Sequence, residues 1–191
     1  MALLAACGDD GGNGGDDAST GTDSTTTSVV APPATLGPVI DIGTGPDAAL
    51  LFLADVDGMI DLEITECTID LDAQPEGQVP AELLGVSATG ETDDGTTVSL
   101  DVRRFRSVGA SPTITDTVTI AFGDPDAPER ALVAQRFEVD GLVSDLRDPD
   151  ADDPLLVVGP GGFEGRGLFA APGADAEDGG AVEGVVRGTC A

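Results

Sequence analysis

Beyond Asp47 the apolar residues recur at every second position, the period of a strand with one buried face. Ile60, Leu62 and Ile64 alternate with Asp61, Glu63 and Thr65. The apolar phase then slips by one to Cys67, Ile69 and Leu71, and a β-bulge near Thr65-Glu66 accounts for the slip. Residues 50–56 and 59–64 flank Asp57-Gly58, a hairpin signal, because Asp-Gly readily takes the positive φ angles of a tight turn. The apolar run 48–54 also suits a short helix, since a continuous run does not choose its own period. Residues 83–89 and 97–105 predict a second hairpin around Asp94-Gly95, with Val98, Leu100 and Val102 set against Ser99, Asp101 and Arg103. In 113–122, Ile114, Val118, Ile120 and Phe122 share a face opposite Thr115, Thr117 and Thr119. Residues 131–139 group Val133, Phe137 and Val139 and turn at Asp140-Gly141. A short apolar run at 155–158, a strand alternating Phe163, Gly165, Gly167 and Phe169, and a final strand at 182–190 complete the chain.

Seven to nine short strands separated by turn signals predict an all-β fold, an antiparallel sandwich or a partly open barrel. No run of 18 apolar residues predicts a membrane-spanning helix.

The pattern stops upstream. Residues 9–28 are almost entirely Gly, Asp, Ser, Thr and Asn, and 29–38 add Pro32, Pro33 and Pro38. Such a segment buries too little apolar surface to offset the entropy of ordering, so a disordered, flexible tether is expected over residues 7–38. The β-rich domain is then 39–191, large enough for a sizeable core. Trp and Tyr are absent and Phe occurs 6 times, so Val, Leu, Ile and Ala must fill that core.

Charge narrows the partners. Against 36 acidic residues stand 8 basic ones, all Arg and all between Arg103 and Arg187, for a net charge of -28. That field repels nucleic acid and anionic headgroup surfaces, and neither is expected as a partner. Adaptation to high salt and a GC-rich genome explain the composition equally well.

The three cysteines divide into one and two. Leu4-Ala5-Ala6-Cys7-Gly8 resembles the lipobox of bacterial lipoproteins, in which the cysteine carries a diacylglycerol thioether and becomes the mature N-terminus. Residues 1–6 are then the remnant of a lipoprotein signal peptide, with its basic and apolar regions expected upstream of Met1. Lipid at Cys7 supplies a membrane anchor and an extracytoplasmic, surface location. Cys67 and Cys190 remain as a pair, expected to be oxidised outside the cytoplasmic membrane.

The tether, the stretch Ile64-Thr65-Glu66-Cys67-Thr68, the glycine-spaced strand from Phe163 to Phe169 and the ending from Val185 to Cys190 together resemble the mycobacterial 19 kDa lipoprotein antigen family. The resemblance implies an actinobacterial envelope lipoprotein with a β-rich domain that is not a catalyst.

Candidate chemistry is sparse. Without His, neither Ser-His-Asp nor Cys-His catalysis is available, and without Lys there is no Schiff base or phosphate-loop lysine. Carboxylates abound, so a glycosidase pair remains open, although sugar sites commonly stack rings on Trp or Tyr. Asp148, Asp150 and Asp152 alternate as the oxygens of calcium loops do, with Asp145 nearby. Asp153 stands where the sharp turn wants Gly, and Gly159 where a bidentate Glu is needed, which leaves only a looser calcium site. Gly159-Pro160-Gly161-Gly162 precedes a strand rather than a helix, so phosphate binding is not expected. Arg103, Arg104 and Arg106 form the one basic cluster and are expected to pair with neighbouring carboxylates. The expectation is therefore a non-enzymatic surface lipoprotein acting by binding or display through a partner not yet named. A carrier of a small apolar ligand, a calcium-dependent binding module and a carboxylate hydrolase stand as alternatives.

Overall fold

The computed structural model describes residues 47–74, 79–107, 112–140, 142–145, 153–174 and 180–190. Ten strands form one antiparallel sheet: β1 Ala48–Leu53, β2 Ile60–Ala73, β3 Ala81–Glu91, β4 Thr97–Ser107, β5 Thr113–Asp124, β6 Ala127–Val139, β7 Leu142–Asp145, β8 Leu156–Gly159, β9 Gly162–Phe169 and β10 Val182–Thr189. Their order across the sheet is β7-β6-β5-β4-β3-β2-β1-β10-β9-β8, so the first strand sits between the second and the last. Among the described residues no helix is long and apolar enough to cross a membrane.

The sheet curls into a half-barrel, as its twist and one buried face require. Where it comes round on itself, Val133 of β6 and Ala170, just after β9, exchange backbone hydrogen bonds of 2.8 and 3.0 Å. The rest of that edge of β6, Arg136–Val139, pairs with β7. The seam is thus stitched near the middle of β6, and two four-residue strands, β7 and β8, form the sheet's ends.

Local chemistry explains the strands. Gly58 and Gly95 adopt φ of 82° and 83° at the Asp-Gly turns between β1 and β2 and between β3 and β4. The expected bulge is present as a register shift between Ile64 and Glu66, which keeps both Ile64 and Cys67 facing inward. Residues 48–53 are strand and not helix, paired on both sides by β2 and β10.

The interior is built from every second residue of nearly all strands, including Leu51, Leu62, Val86, Leu100, Ile120 and Val186. Scarce aromatics are seated by glycine. Phe163 lies directly across from Gly188, where a Cβ would stand 2.3 Å from the ring, and Phe169 covers Gly184 at 2.7 Å. A bare backbone opposite a ring lets it lie flat on the sheet, so the glycine spacing of β9 and β10 is a packing device.

The structure corrects two expectations. Val133, Phe137 and Val139 do share a face, but it is the outer one, with Phe137 and Val139 exposed; the inward residues of β6 are Leu132 and Ala134, followed by Arg136 and Glu138. Charges at inward positions hid the true apolar face. The strand count is ten, with β7 unforeseen because four residues carry too little periodicity to register.

Candidate functional site

Cys67 on β2 and Cys190, just beyond β10, are joined by a disulfide with Cα atoms 6.1 Å apart, across a sequence separation of 123. β1 begins at Ala48, opposite Glu63, so the half of β2 from Cys67 onward runs past the start of β1. The bridge ties that half directly to the end of β10, and the Cys190 amide donates to the Gly161 carbonyl at 3.1 Å. By loop-closure entropy a cross-link of this span contributes about 5 kcal/mol.

Cys7 and the alternating Asp148, Asp150 and Asp152 lie outside the described residues. Asp145, their suggested companion for calcium, is described. Its carboxylate is 2% exposed and accepts from Arg136 Nη1 at 3.1 Å. Among the described residues no three His, Cys, Asp or Glu side chains are grouped to hold a metal.

What the fold does assemble is a charged layer at one mouth. The inward positions of β4, β5 and β6 are apolar along most of their length and then become ionic at the same level. Register aligns Leu84, Arg104, Asp116, Arg136 and Asp145 in one row across five strands. Glu82, Arg106, Ile114, Glu138 and Val143 form the next row. Opposite charges therefore neighbour each other across strands, the arrangement that stabilises cross-strand pairs.

Arg104 and Asp116 are the most buried pair, at 8% and 1% side-chain exposure. Arg104 donates through Nε and Nη2 to the two Asp116 oxygens, each at 2.7 Å, the bidentate fork that suits a desolvated pair. Its Nη2 also reaches the Leu156 carbonyl at 2.5 Å, which fastens β8 to the inner face of β4 across the barrel. Arg106 is looser, 47% exposed, with Nη1 at 3.4 and 3.5 Å from the Glu82 oxygens. Arg103 points to the opposite face and pairs with Asp101 at 2.6 and 2.8 Å, a hydrogen-bonded contact that raises its already high pKa. The sequence-level triplet is thus paired as expected but split between two faces by the period of the strand.

Glu82, Arg104, Arg106, Asp116, Arg136 and Glu138 border a half-open cavity of about 420 Å³. Leu71 of β2, Ile114 of β5 and Leu156, Val157 and Val158 of β8 also line it. Beneath it lie the core side chains of the barrel. Sequence reasoning missed Glu82, Asp116, Arg136 and Glu138. The available signal was parity: each lies an even number of residues from a buried aliphatic on its strand, at a position that faces inward.

No family model matches the chain, and no curated protein or solved structure matches it.

Proposed function

We propose that this chain is a lipid-anchored envelope protein that displays its β-domain for binding and performs no covalent chemistry of its own. The Cys67–Cys190 disulfide carries the reading, because a bridge that closes most of the domain belongs to an oxidising, extracytoplasmic compartment. Pairing these two leaves Cys7 as the single remaining thiol, set in a lipobox-like sequence ahead of the glycine- and aspartate-rich tether. The resemblance to the 19 kDa antigen family agrees with this layout, and the absence of His and Lys from the chain supports a binding role over catalysis.

The test is a membrane fractionation of cells making the protein with its native leader, with a mass spectrum of Cys7. The expected result is a diacylglycerol-modified Cys7 in the membrane fraction and release of a Cys7→Ser variant into the soluble fraction. Unmodified Cys7 in the native protein, or thiol titration that finds Cys67 and Cys190 reduced in cells, would overturn the reading.

A further inference from the structure

The geometry points to a ligand for the mouth of the half-barrel: a small monoanion with a short hydrocarbon body, the chemistry of a medium-chain carboxylate, its headgroup held by Arg104 and Arg106. The inference does not depend on the membrane anchor, since it concerns the domain alone.

Hydrogen-bond inventory leads to the charge of the ligand. Arg104 uses Nε and Nη2 on Asp116 and Leu156, and among the described residues its Nη1 makes no hydrogen bond. The guanidinium is already fixed in place, so pairing with a ligand costs little further ordering. Arg106, two residues along β4 on the same inner face, contacts only Glu82, at distances too long for a strong pair. Asp116 and Asp145 are committed to Arg104 and Arg136. The groups left over on the β4 wall, Arg104 Nη1 and the N–H groups of Arg106 not turned to Glu82, are donors, and two adjacent guanidinium groups match one carboxylate.

The body of the ligand follows from the remaining walls. Leu71, Ile114 and Val158 offer hydrocarbon contact and no polar group from their side chains, and about 420 Å³ falls in the range of small-molecule sites. A single negative charge is set by the rest of the molecule: a net charge of -28 repels a polyanion far more than a monoanion. The same field gives the site a signature. Salt screens long-range repulsion strongly and close, half-buried pairing weakly, so affinity should rise from low to moderate ionic strength. Glu138, 28% exposed and 4.0 Å from Arg136, is the carboxylate a cationic ligand would use, and it defines the control.

Octanoate, octylamine and octanol should be titrated by calorimetry into the full chain, wild type, Arg106→Gln and Glu82→Gln, each checked for folding by its melting curve. Octanoate is expected to bind saturably at one site, at least about tenfold tighter than octylamine or octanol, as loss of one charged partner commonly costs. Arg106→Gln should weaken octanoate by about tenfold, and Glu82→Gln, which frees Arg106, should tighten it. Octylamine binding as tightly as octanoate, no saturable binding at millimolar octanoate, or affinity falling with added salt would overturn the proposal. Should Arg106→Gln fail to fold, an octanoate affinity unchanged by Glu82→Gln would do the same.

Discussion

Strands β4, β5 and β6 each carry two chemistries along a single inward-facing line. Val98, Leu100 and Val102 on β4 give way to Arg104 and Arg106; Phe122, Ile120 and Val118 on β5 give way to Asp116; Leu132 and Ala134 on β6 give way to Arg136 and Glu138. The apolar end is densely packed, with Phe163 and Phe169 fully buried against glycine. The ionic end is organised by directional pairs around open space. Apolar burial stabilises wherever volume is filled, whereas a buried ion pair contributes little net stability once its desolvation is counted. Retaining the costlier chemistry at the level where β8 leaves a cavity fits a mouth kept for recognition more than for stability.

The largest perturbation lies where the ends are held together. Replacing Cys67 and Cys190 by Ser should lower the unfolding free energy by about 5 kcal/mol, read from urea midpoints. A loss under about 1 kcal/mol would mean that pairing around β1 alone keeps the mouth in register. Within the ionic layer, Asp116→Ala should cost about 3–5 kcal/mol, because it strands Arg104 in a desolvated site. The double replacement Arg104→Met with Asp116→Leu should recover most of that loss, and failure to recover would show that the ion pair itself stabilises the sheet. In the apolar end, Gly188→Ala sets a methyl against the Phe163 ring and should cost about 1–3 kcal/mol, with partial recovery on adding Phe163→Leu.

The smallest effect belongs to the β3–β4 hairpin tip, part of neither interior. There the Thr92 hydroxyl, followed by contacts with Thr96, holds the Asp94 carboxyl below its ordinary value of 3.8. A lowered folded-state pKa contributes stability above that ordinary value and loses it as pH falls through the folded pKa. The melting temperature of Asp94→Asn should therefore lie slightly below wild type at neutral pH and converge with it in strong acid. A gap that widens on acidification would reverse the assignment.

Much of this architecture was legible because its signals are local. The Asp57-Gly58 and Asp94-Gly95 turns and the slip at Thr65-Glu66 each follow from a few neighbouring residues, and the Cys67–Cys190 pair follows once Cys7 is set aside. The candidate mouth was not legible, because it is made by the exact register of five successive strands and by the curl that turns one of their faces inward. Asp116 looks like one more surface carboxylate among 36 acidic residues until curvature turns it inward. The bond between Val133 and Ala170 likewise depends on how far the sheet curls, which alternation cannot convey.

The position of β1 between β2 and β10 governs how the protein can be made. Until residues 182–189 are in place, Ala48–Leu53 presents an unsatisfied, strongly apolar edge that any passing strand can extend. A chain truncated before Val182 keeps that edge for its lifetime and should aggregate rather than persist as a smaller soluble domain. Native closure therefore waits for β10, the strand that covers the free edge of β1.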